Sequence, residues 1–246
     1  MIRRTFIVVA TVFLVTYNSS PSLAGAESSV GGARVGSSAQ APFVEATTSL
    51  SMDLSGWQPG QVAIADVLTF GGPQPTITPP DGWQLIRDDS TATTRQSLYW
   101  HAIGGNEPSS ASWTFSDPVD AQGAILLLDN VAADSPVDTA SGNTGGDTGG
   151  VLTAKSVTTT SDGDLVLAFN ATDFGAYRHT ICKDCSGLKP KMPDNATVAL
   201  DQESTPREYW ILANYQSQTG DTEAQISGAP QFFNWVATQV AIRSGN

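Results

Sequence analysis

Apolar residues in this chain come in short runs of four to nine positions, cut apart by Gly, Pro, Asp and Asn, and rich in Val, Ile, Leu, Thr and aromatics. That punctuation predicts strands joined by turns. The runs fall near Val44–Met52, Val62–Phe70, Trp83–Arg87, Ser97–Ile103, Ala111–Phe115 and Gly123–Asn130. Others fall near Thr153–Thr159, Asp164–Ala171, Thr197–Asp201, Glu208–Gln216, Glu223–Ser227 and Trp235–Arg243. A Gly-rich stretch, SGNTGGDTGG (Ser141–Gly150), reads as a flexible loop between the two groups. No segment keeps a helical period over three turns, which argues against a βαβ enzyme core.

The two groups of strands resemble each other. VAIADVLTF (Val62–Phe70) matches GDLVLAFNA (Gly163–Ala171), and SLYWHAI (Ser97–Ile103) matches EYWILAN (Glu208–Asn214). ASWTFSDPVDAQGAILLLDNV (Ala111–Val131) matches AQISGAPQFFNWVATQVAIRS (Ala224–Ser244). The expected fold is therefore all-β: a jelly-roll-like two-sheet sandwich of about 11–13 strands with an internal pseudo-repeat, its halves exchanging strands. Alternation along Ser97–Ile103 puts Leu98, Trp100 and Ala102 on one face and Tyr99, His101 and Ile103 on the other. Matching the Tyr-Trp pairs makes Trp100 and Trp210 equivalent core positions, with Trp83 and Trp113 packed against them. Tyr99 and His101 then line an outer sheet that faces ligand.

The N-terminus adds a compartment. Arg3-Arg4, the apolar run Phe6–Val15 and the small residues Ala24-Gly25-Ala26 have the plan of a secretory signal peptide, with cleavage expected after Ala26. The apolar run is shorter than the roughly 20 residues a membrane helix needs. Glu27 to Ala41 reads as a flexible lead-in, and residues 42–246 as one sandwich domain. Without residues 1–26 the chain holds ten basic and 24 acidic residues, a net charge of −14. Such a surface repels phosphate backbones and anionic lipid, so neither nucleic acid nor a membrane is an expected partner.

A resemblance sharpens the class. SGWQPGQVAIADVL (Ser55–Leu68), PDGWQLIRD (Pro80–Asp88), LYWHA (Leu98–Ala102), EPSSASWTF (Glu107–Phe115) and NWVATQVAIR (Asn234–Arg243) look like the turn and core motifs of a family of β-sandwich modules. These modules occur in secreted bacterial and phage tail-associated proteins, mostly without assigned function. The resemblance implies an extracellular binding or structural module and supplies no catalytic residues.

Candidate chemistry is sparse. Asp88, Asp89, Glu107, Glu203 and Glu208 could offer the two carboxylates that glycoside hydrolysis needs, which makes a glycan-cleaving enzyme the alternative. No nucleophile elbow and no phosphate loop is present. Cys182 and Cys185, as C-K-D-C in an oxidising compartment, read as a local disulfide. With His179 they supply three zinc ligands where four are needed, so no metal site is expected there. Calcium stays open as a cofactor, since Asp134–Asp138 and Asp147 are oxygen ligands without an EF-hand series. Arg178, Lys183, Lys189 and Lys191 gather four of the ten mature basic residues into fourteen positions. His179, Lys183, Lys189 and Lys191, with Tyr99 and His101, are the expected ligand-binding residues, and glycan or a cell or particle surface the expected partner.

Overall fold

The computed structural model describes residues 32–146, 151–161, 163–173, 188–191, 197–204, 207–215, 222–226 and 234–245, with the main chain alone between 173 and 226. Among these residues every regular element is a strand, and the fold is an all-β sandwich. In the first half the strands are β1 (Arg34–Asp53), β2 (Val62–Phe70), β3 (Ile77–Thr78), β4 (Gln84–Ser90), β5 (Thr94–Ala102) and β6 (Ser110–Asp129). In the second they are β7 (Val137–Gly145), β8 (Val151–Ala154), β9 (Leu165–Asp173), β10 (Leu188–Lys191), β11 (Thr197–Ser204), β12 (Arg207–Tyr215), β13 (Thr222–Ile226) and β14 (Asn234–Ile242). The two main sheets run β1-β6-β2-β5-β4 and β7-β14-β9-β12-β11, all antiparallel.

The halves correspond strand for strand. β2, β4 and β5 have the places of β9, β11 and β12. β1 does the work of β7 and β8 together, β6 that of β13 and β14, and β3 that of β10. Even the irregularities recur. β4 slips register between Leu85 and Arg87 and β11 between Val198 and Leu200, against the same step of the neighbouring strand. β1 slips between Val35 and Ser37, as β7 does between Val137 and Thr139. A bulge bends and twists its strand, so two matched bulges give two sheets of one shape.

Each half keeps its main strands in its own sheet, rather than exchanging them as a jelly roll would. Pairing within a half closes shorter loops than pairing across the two halves. The sheets then stack with β2 over β9, β1 over β11 and β4 over β7. Each half's first strand meets the opposite edge strand of the other half's sheet, the relation that a twofold axis generates.

Between the sheets lie Val62, Ile64, Leu68, Phe70, Leu98 and Leu126 from one half, and Leu165, Leu167, Phe169, Val240 and Ile242 from the other. Full burial is worth about 1.5–3 kcal/mol for each such side chain. Asp66 sits within the same row of β2 and is fully buried, flanked in register by Leu98 and Ala124. The first sheet also has a covered outer face. β1 and β6 are each 20 residues long and bend, so that Leu50, Met52 and Trp113 fold back over Ala63, Ala65, Val67, Ile125 and Leu127.

Gly123 lies at that bend. A Cβ there would stand 2.5 Å from the Asp66 carbonyl oxygen, 2.9 Å from Met52 and 3.1 Å from Leu50. Gly123→Val should therefore cost about 1–3 kcal/mol through overpacking. A urea titration checks this, and an unchanged midpoint would mean that the folded-back arms are not packed as described.

Several sequence expectations are corrected here. The segment Arg34–Ala41, expected as flexible lead-in, is the first arm of β1, paired with Asp129–Gly123 of β6. It carries no apolar run, but its main chain completes the ladder of an otherwise open edge. Ser141–Gly145, expected as loop, belongs to β7 and pairs with Gln239–Trp235. Its glycines answer to tertiary neighbours: a Cβ on Gly142 would strike Arg87 and Asp89, and one on Gly145 would lie 2.5 Å from the Trp235 ring. Ala111–Phe115 and the run expected at Gly123–Asn130 fall on one strand, which ends at Asp129.

The Tyr-Trp match is also out of register. Gln84↔Trp100 and Thr197↔Ala213 are the equivalent pairs, so Trp100 corresponds to Ala213 and Trp210 to Ser97. The shift of three is odd and so exchanges the faces.

Candidate binding recess

Tyr99 and His101 do not line an outer ligand-facing sheet, because the folded-back arms cover that face. Tyr99 is buried with its ring centroid 6.0 Å from that of Trp113. Burial, then the charge of Asp88, raises its phenol above the ordinary range. Trp83 meets Trp113 edge-on at 4.9 Å, and His101 stacks on Trp83 at 5.3 Å. Trp83 and Trp113 are thus core, as expected, but on the Tyr99 face. Trp100 is half-buried against the intersheet core instead. His101 Nδ1 lies 3.0 Å from the Gly82 carbonyl, which can only accept, so this nitrogen carries the proton. Its Nε2 lies 3.1 Å from Glu107 Oε2, while Glu107 Oε1 accepts from Gly104 N–H at 2.8 Å. These contacts tie the Gly82 turn to the loop after β5.

Of the other candidate acids, Asp88 and Asp89 are each held by an arginine. Asp88 accepts from Arg95 Nε at 2.8 Å, Arg95 Nη2 at 2.5 Å and Ser97 Oγ at 2.9 Å. Burial pushes its carboxyl up, but the Arg95 and Ser97 bonds outweigh that and hold it below the usual range. Asp89 pairs with Arg87 between the sheets. Glu203 and Glu208 are register partners on β11 and β12.

Of the expected basic ligand set, Lys189 and Lys191 lie on strand β10, opposite Gln225 and Glu223 of β13. His179, Lys183, Cys182 and Cys185 lie outside the described residues, as do the proposed signal peptide and Asp147. Among the described residues no group of three or more His, Cys, Asp or Glu could hold a metal ion.

The geometry brings together residues that the sequence reading passed over. Because β1 is the edge strand of both layers in its half, the space between its two arms opens sideways. A recess of about 190 Å³ lies there. Buried Ile125 and Leu127 form its floor beside Ala39. Its rim holds Ser37, Ser38, Ser55, Gly56 and Asp53. Asp53 accepts from Ser55 N–H at 2.8 Å and Ser55 Oγ at 3.0 Å. Those two bonds, the backbone one first, hold its carboxyl below the ordinary range, so it is ionised at neutral pH.

The second half shows what the same corner looks like when closed. There Ser141 Oγ donates to the Lys155 carbonyl, Asn143 Nδ2 to Thr153 O at 3.1 Å and Gln239 Nε2 to Ala154 O at 3.3 Å. These three bonds tie β7 and β14 to β8 and the residue after it. By register the equivalent positions in the first half are Ala39, Ala41 and Ile125, which carry no donor. No sequence signal marked this recess, since one side of it fell in the supposed lead-in. Comparison of the chain with family models, with curated proteins and with solved structures finds no match.

Proposed function

We propose that the protein is an exported binding module whose ligand is a hydroxyl-rich surface group, glycan foremost. The observation that carries this reading is the recess between the arms of β1, with an apolar floor and a rim of hydroxyls around one ionised carboxylate. An apolar base with a few convergent polar groups is the ordinary plan of a small-ligand site. The leader-like N-terminus supports export, and the likeness to secreted and phage tail-associated modules agrees with it. The alternative, a glycan-cleaving enzyme, is weaker because Asp88, Asp89 and Glu107 are each engaged by a basic partner. A general acid needs a raised pKa and a free path to the glycosidic oxygen.

The test is a glycan array probed with the chain lacking residues 1–26, run beside a polysaccharide-hydrolysis assay. Retention on one or more glycans without release of reducing ends is the expected outcome. Hydrolysis would replace this reading with the enzymatic one, and retention on none would end it.

A further inference from the structure

We infer that the recess is a single-copy site for one uncharged, pyranose-sized ring, open in the first half because that half lacks a bridge present in the second. This inference rests on the binding-module reading and narrows it to a site, a ligand size and a stoichiometry.

Size comes first. A volume of about 190 Å³ lies below the roughly 300–1,000 Å³ of sites that take drug-sized ligands, which leaves room for one ring and not for a chain. The chemistry of the walls fits a sugar ring. Half-buried Ala39 and the 5% of Leu127 that stays exposed offer an apolar surface to the ring's C–H face, above Ile125, which is fully covered. Serine hydroxyls both donate and accept, while an ionised carboxylate only accepts. Asp53 keeps acceptor capacity beyond the two bonds from Ser55, and bonds from ring hydroxyls to it are charge-assisted.

The copy number follows from the repeat. The second half has the same order of main strands and the same bulges, yet Ser141, Asn143 and Gln239 bond across the corner. Ala39, Ala41 and Ile125 replace them in the first half, and the gap they leave is the recess. One chain thus offers one site, and a multivalent surface is engaged by several chains or not tightly at all.

The experiment is an amide NMR titration of the folded chain without residues 1–26. The probes are the methyl glycosides of glucose, galactose, mannose and N-acetylglucosamine, with glucosamine as an ammonium-bearing comparison. At least one neutral glycoside should bind one-to-one with a dissociation constant of about 1 mM, the order expected for so small a ligand. Shifts should centre on Ser37–Ala39 and Asp53–Gly56. Asp53→Asn, which keeps an oxygen for the Ser55 N–H, should weaken binding about tenfold or more with an unchanged circular dichroism spectrum. Ala39→Ser, which restores the bridging hydroxyl, should weaken it as well.

Shifts centred elsewhere, two sites per chain, or full affinity in Asp53→Asn would overturn the inference. Binding of glucosamine alone would make the recess a cation site and overturn it too. A positive glycan array with no monosaccharide shift at the recess removes this inference and leaves the module reading standing. A negative array with no shift removes both.

Discussion

Raising the pH from about 4 to about 8 should strip roughly 5 kcal/mol of stability from the protein through one side chain, and Asp66→Asn should remove that loss. Asp66 is wholly buried between the sheets, and burial raises its carboxyl to about 8, against a smaller lowering by the Gln96 bond. A carboxyl with a raised folded-state pKa binds more protons folded than unfolded between its two pKa values. Its contribution is therefore fully present below about 4, the unfolded value, and lost as pH rises through about 8.

The hydrogen bonds say the same. Gln96 Nε2 donates to Asp66 Oδ2 at 3.0 Å, while Asp66 Oδ1 and Gln96 Oε1 have no partner among the described residues. A proton on Oδ1 turns it into a donor, and Gln96 Oε1 is an acceptor left unfilled on the same amide. Asparagine offers that acceptor and donor at every pH. Urea titrations across pH should show Asp66→Asn near wild type at about pH 4 and markedly more stable above about pH 8. Parallel curves for the two proteins would show that Asp66 is ionised in the fold.

Trp113→Ala should cost about 3–5 kcal/mol, the range for emptying a large aromatic site. Trp113 is 0% exposed and sits under the folded-back arms, with Trp83 edge-on and Tyr99 tilted beside it. Few side chains could close over that space, because the layer is held by the bend of β1 and β6. Trp100→Ala should cost clearly less, since Trp100 is only half-buried at the edge of the intersheet core. Urea midpoints rank the two. If Trp100→Ala is the more damaging, the covered face has been assigned to the wrong side of β5.

These cases show where local pattern suffices. Val62–Phe70 is a strand in the sequence because its apolar run ends at Gly71, and the structure reproduces those limits. Trp83 and Trp113 are core by either route. Failure begins where a strand has no apolar signature of its own. Arg34–Ala41 and Ser141–Gly145 hold no apolar run, and they are strands because β6 and β14 present unpaired ladders to them. Failure continues where two faces are both covered. Alternation separates Tyr99 from Trp100 but cannot say which face meets water, and here both meet protein.

The sequence by itself determined the all-β class and the strands with strong apolar runs, because turn residues and strand preference act over a few neighbouring positions. It also showed that the chain is doubled, since both halves carry similar strands in similar order. The tertiary structure alone decided the register that separates Trp100 from Trp210, the bend that buries Tyr99, and the recess beside Asp53. Each of these depends on main-chain pairing between distant segments, and on whether position 39 or 141 has a hydroxyl to reach across a corner. That distance information is not carried by any local run of residues.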